Sequence, residues 1–241
     1  MSLSKDSQRG DIFIGNQPTP GKPKGFLNAY SEIQQYYLAE KTTGTISVDF
    51  LTLEGKLAFF EVGFKGGFIC GFISALLTPV AFGVIDNYLP IFGSYDPNWY
   101  DKFFAFVLAC GFAVGYGFLF SSLGKYYIGE VSKAAIKNLV MGLAIGAVLK
   151  LIIVFLAFHF IYIVILEPNV IGAWLIKMTW LTSYDRLNGL FQWLMVFRPV
   201  FLVSAYFVLF TTLLMITIPI LGIHLGAKRS KNRMDHQEDN K

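Results

Sequence analysis

Charge is scarce in this chain of 241 residues. Asp, Glu, Lys and Arg make up only 15% of it, against about 25% in a typical soluble domain. That is too little to cover a water-facing surface, which excludes an ordinary soluble enzyme, a disordered regulator and a nucleic-acid-binding domain. Cysteine is nearly absent, and Cys70 and Cys110 read as small apolar residues. The three histidines, His159, His224 and His236, are too dispersed to form a metal site. Reaction signatures are missing too: G-x-S-x-G, H-E-x-x-H and G-x-x-x-x-G-K do not occur. There is no N-x-S/T sequon, and MSLSKDSQRGDIF is polar where a signal peptide would be apolar. No catalytic, cofactor-binding or metal-binding residue is therefore assigned.

Long apolar runs are present instead, with 54% hydrophobic residues and a mean hydropathy of +0.53. A helix crosses the hydrocarbon with about 20 such residues. Four runs qualify, 66–85, 103–123, 138–166 and 200–226, and the third is interrupted only by Lys150. The expected fold is an all-α integral membrane protein: a bundle of four transmembrane helices with an N-terminal arm. Four crossings leave both termini on one side. With that side cytoplasmic, the inner flanks hold nine Lys and Arg (Lys56, Lys65, Lys125, Lys133, Lys137, Lys228, Arg229, Lys231 and Arg233). The outer loops hold four: Lys102, Lys177, Arg186 and Arg198. The excess predicts termini inside. Trp99, Trp174, Trp180 and Trp193 all fall on the outer side, where indole rings favour the headgroup region.

Three domains follow: a cytoplasmic arm over 1–56, the membrane domain over 57–227, and a tail over 228–241 that is basic, then acidic. Within the arm, 1–25 is polar with Pro18, Pro20 and Pro23, the composition of a flexible tail. Over 26–41, Phe26, Tyr30, Ile33 and Tyr37 recur at helical spacing and line one face. That face either packs on the protein's own surface, docks a partner or lies on the membrane surface. Ile46, Val48 and Phe50 alternate as a short strand would, although an extended entry to the next helix fits better. Leu53 to Lys65 predicts a helix leading into the first span. In the last outer segment, 167–199, one stripe is Ile171, Trp174, Leu175 and Met178 and a second is Leu187, Leu190, Phe191 and Leu194. The pattern predicts two interfacial helices with a turn near 183–188, or a re-entrant hairpin.

Small residues recur every four positions in the spans: Gly67, Gly71 and Ala75; Ala109, Ala113 and Gly117, with Gly111 and Gly115; Gly142 and Gly146. Such spacing lets helices approach closely in lipid, either within the bundle or in homo- or hetero-oligomers. Lys150 continues the Gly142–Gly146 face and sits 12 residues, about 18 Å, inside a helix beginning at 138. Buried, it would be a gate, an anion site or a contact for a partner's carboxylate; placed shallowly, it would snorkel to the inner headgroups. His159, nine positions on, is half a turn out of phase, so the two do not share a face. No Asp or Glu lies inside any span, which counts against a proton-coupled transporter. Cys70 and Cys110 differ in depth by roughly 10 Å, too far for a disulfide.

In span count, termini and the polar arm before Gly66, the chain resembles small four-span accessory proteins of bacterial conjugative-transfer and secretion machinery. The resemblance is one of architecture, without a shared motif. It implies an inner-membrane location and contact with a coupling ATPase or secretion-channel subunits. The expected function is that of a non-catalytic membrane component that assembles with other proteins. A small channel or transporter using Lys150 is the alternative, and an intramembrane enzyme is favoured least. The partners expected are membrane lipid and other membrane proteins, with no direct nucleic acid.

Overall fold

The computed structural model describes residues 22–43, 51–86 and 98–238, and these are all α-helical apart from their connections. The helices are α1 (Phe26–Thr43), α2 (Leu53–Ile85), α3 (Trp99–Ser121), α4 (Glu130–Phe160), α5 (Pro168–Lys177) and α6 (Tyr184–Glu238). A 3-10 segment, Ser122–Tyr126, prolongs α3, and a π-turn, Ile161–Ile165, prolongs α4. The four long helices, α2, α3, α4 and α6, are each long and apolar enough to cross a membrane, and they pack as a bundle. The segment 45–50, read as an extended entry to the next helix, and most of the first outer loop lie outside the described residues.

Each long helix overruns its apolar window at one end or both. The window marks where lipid can surround a helix, whereas caps and chain breakers mark where it stops. At the start of α2, Thr52 Oγ1 accepts the Gly55 N–H at 3.3 Å, satisfying one of the first-turn donors. For α5, the Glu167 carboxylate accepts from the N–H groups of Asn169 and Val170, at 2.8 and 3.0 Å, with Pro168 in the first turn.

The helices divide into two compact units, and neither is contiguous in sequence. One unit gathers 1–65, 120–143 and 220–241. Here α2 and α4 meet backbone to backbone. A Cβ on Gly63 would overlap the Leu139 carbonyl, and a Cβ on Gly142 would overlap that of Phe60. The other unit gathers 66–119 and 144–219. Its core includes Ala75, Val154, Phe158, Ala205 and Val208, with a second cluster of Ala81, Val84, Ala105 and Ala109. Ser74 Oγ donates to the Ala109 carbonyl at 2.8 Å, an interhelical bond of a kind that contributes about 0.6 kcal/mol in membranes. Phe103, Ile152, Leu156 and Leu213 point outward and are exposed, as lipid-facing side chains are.

Candidate functional site

Lys150 is buried, with 1% of its surface exposed. The snorkelling alternative does not hold: Nζ donates inward to Thr212 Oγ1 at 2.7 Å. Thr212 in turn donates to the Val208 carbonyl at 2.7 Å. Gly71 makes room for the lysine stem, since a Cβ there would come within 2.8 Å of Lys150 Cε. His159 is separate from this group. Its Nδ1 lies 2.9 Å from the Phe155 carbonyl oxygen, and its ring packs on Phe155 and edge-on to Tyr206. No sequence signal marks Ser204, whose buried hydroxyl has no hydrogen-bond partner among the described residues.

The face of α1 that was a candidate for partner docking is taken by the chain itself. Phe26 packs on Phe120 with ring centroids 4.8 Å apart, and Tyr30 and Tyr37 pack on Tyr126 at 5.7 and 5.4 Å. Ile33 is fully buried. The cause is an apolar stripe that finds its cover at the end of α3 and in the 3-10 segment after it, so docking through these four residues is set aside in favour of self-packing. A polar contact fixes the register. The Glu40 carboxylate accepts the Val131 N–H at 2.6 Å and the Ser132 hydroxyl at 2.8 Å. It caps α4 from a helix about ninety residues earlier in the chain. Gly129 lies directly beside it: a Cβ there would overlap the carboxylate and oblige it to move.

The small residues divide by face. Gly67, Gly71, Ala75, Ala109, Ala113, Gly117, Gly142 and Gly146 are all buried. Gly111 and Gly115 pack against nothing within the chain: a Cβ on either meets nothing within 4 Å. They stand on the far side of α3 from Ala109, Ala113 and Gly117. Gly63 and Gly124 are close-approach positions that the apolar windows left out. Gly124 sits so near the Gly222 and Ile223 carbonyl oxygens that a Cβ would lie 2.9 and 2.8 Å from them.

The segment after α4 departs most from expectation. Only its first helix, α5, is separate; the second is the start of α6, which runs on through Pro199 into the last span. Leu166, Ile171, Leu175 and Leu187 form the small core of this hairpin. At its root, Leu166 N–H bonds the Ile161 carbonyl at 2.8 Å, so the π-turn takes that donor from Tyr162. Arg198 supplies the replacement, donating Nε–H to the Tyr162 carbonyl at 3.0 Å with its guanidinium over the Tyr162 ring. Beyond the root, a cavity of about 450 Å³ is lined wholly by apolar side chains, among them Val164, Leu166, Trp174, Leu190 and Leu194.

The hairpin also presents apolar side chains outward. Ile176, Trp180, Leu181 and Tyr184 near its tip are 67%, 80%, 60% and 72% exposed. Phe82, one turn before the end of α2, packs edge-on to Phe207 of α6 at 5.0 Å.

Among the described residues, no group of three His, Cys, Asp or Glu is placed to hold a metal ion. No protein-family model, curated protein or solved structure matches the chain.

Proposed function

We propose that the protein is a non-catalytic, multi-pass membrane component that assembles with other membrane proteins, and that the tip of the α5–α6 hairpin is its contact surface. The exposed group of Ile176, Trp180, Leu181 and Tyr184 carries the reading. A cluster of large exposed apolar side chains at one tip marks an interaction site, and buried aromatic anchors supply most of the binding energy at such contacts. With both termini cytoplasmic, four crossings leave the hairpin segment on the outer side. The architectural resemblance to conjugation and secretion accessory proteins then favours a secretion-channel subunit over a coupling ATPase as the partner.

Photo-crosslinking residues at positions 176, 180 and 181 test this in native membranes. Adducts to a second protein are expected from all three, with none from the lipid-facing positions 152 and 156. An adduct at twice the chain mass identifies a second copy. A tip that crosslinks no more than the lipid-facing controls would overturn the assignment.

A channel or transporter is the second reading, favoured by the ammonium of Lys150 held inside a span. Flux in proteoliposomes that changes in Lys150→Met supports it, and no flux in the parent protein ends it.

A further inference from the structure

We infer that the unit containing both chain ends carries a binding surface for anionic phospholipid headgroups, built from Lys125, Lys228, Arg229 and Lys231. All four are exposed. The backbone brings the first of them to the others: a Cβ on Gly226 would lie 2.9 Å from Gly124 Cα and 3.4 Å from Lys125 N. Lys228 and Arg229 follow Gly226 within one turn of α6, so the end of α3 and the basic stretch of α6 present their charge together. None of the four is in a salt bridge among the described residues, where the ion pairs are Lys22–Glu54 and Lys65–Glu61. From Ile220 to Met234 the chain has no acidic residue. Lys125 Nζ is held over the Tyr126 ring at 4.8 Å and near the Tyr30 ring at 5.7 Å. Its ammonium is therefore positioned rather than free to fold back on a carboxylate.

The location selects lipid over other polyanions. The basic stretch begins two residues after the apolar run 200–226 ends, where phosphate groups of a leaflet lie. The N-terminal part of the chain does not contribute: residues 1–65 hold seven acidic and seven basic side chains. Each Lys or Arg near an anionic surface contributes about a fivefold gain in retention, so three neutralisations correspond to roughly a hundredfold.

The test is thermal unfolding of the full chain in neutral detergent during titration with phosphatidylglycerol, phosphatidylcholine or inorganic phosphate. Phosphatidylglycerol is expected to raise the Tm saturably, and the other two are not. The K228Q/R229Q/K231Q variant should need roughly a hundredfold more phosphatidylglycerol for half the shift. K102Q/K177Q, which removes charge from the other unit, should respond as the parent does. An equal response to phosphatidylcholine, a full response to inorganic phosphate alone, or an unchanged response of the triple variant would each overturn the inference.

Discussion

Lys150 Nζ donates to Thr212 Oγ1 at 2.7 Å inside the unit that holds the span cores. An ammonium has three protons to place, and a single hydroxyl is modest compensation for burying it. Lys150→Met keeps the length of the side chain and removes the desolvation cost, so the Tm of purified protein should rise, by about 1–3 kcal/mol in stability. Thr212→Val leaves the ammonium without its partner and should lower stability by about 1–3 kcal/mol. The two effects should not add in the double variant, because the valine removes nothing once the lysine is gone. Additive effects would show that the pair is not coupled.

Glu40 binds α1 to the first turn of α4 through Val131 and Ser132. Glu40→Ala leaves those donors uncapped and should cost about 1–2 kcal/mol. Hydrogen exchange at the Val131 and Ser132 amides should rise with it, and α1 should become more accessible to protease. Gly129→Ala should reproduce both changes, since its methyl group displaces the carboxylate. Unaltered protection in Glu40→Ala would mean that the aromatic contacts alone dock the helix.

The glycines separate into two classes that a single assay distinguishes. Gly63→Ala and Gly142→Ala each drive a methyl into the backbone of the neighbouring helix. They should destabilise by about 1–3 kcal/mol. Gly111→Ala and Gly115→Ala meet open space and should be neutral or stabilising by up to about 1 kcal/mol, through helix propensity. Loss of stability in Gly111→Ala or Gly115→Ala would restore them as packing positions.

The sequence made the spans legible because each apolar run exceeds what hydrocarbon requires, and nothing else in a short chain has that length. It did not show where the helices end, since Thr52 and Glu167 cap positions outside the runs. Small-residue spacing marks Ala109, Ala113 and Gly117 and equally marks Gly111 and Gly115, half a turn away. Periodicity says that a face exists, and only the neighbouring helix says which one is covered. Lys150 could be placed on the Gly142–Gly146 face by counting, but its burial depends on Gly71 and Thr212, which lie on other helices. Glu40 was out of reach for the same reason. A cap supplied from about ninety residues away leaves no local pattern, whereas the Phe26–Tyr37 stripe does, and only its occupant had to be found.

The final prediction concerns pH and the same N-terminal helix. Glu32 Oε2 is buried without a hydrogen-bond partner among the described residues, and burial holds its carboxyl above the ordinary 4.5. Tyr36, one turn on, is pushed up to about 12 by its own burial and then by the charge of Glu32. A carboxyl with a raised pKa in the folded state binds its proton more tightly there than in the unfolded chain. The docked arm is therefore free of penalty below 4.5 and becomes less stable as pH rises through the raised value. Tyr36 adds a second window: docking weakens again between the tyrosine's ordinary 10.0 and about 12. Glu32→Gln removes the charge, so its α1 amides should show the same opening equilibrium at about pH 5 and about pH 8, after correction for intrinsic exchange. The parent should open more readily at the higher pH. The same substitution should bring the tyrosinate absorbance transition of Tyr36 down from about 12, because one of the two causes is gone. A parent whose α1 protection is independent of pH would show that Glu32 is solvated in the docked state and that the arm carries no buried charge.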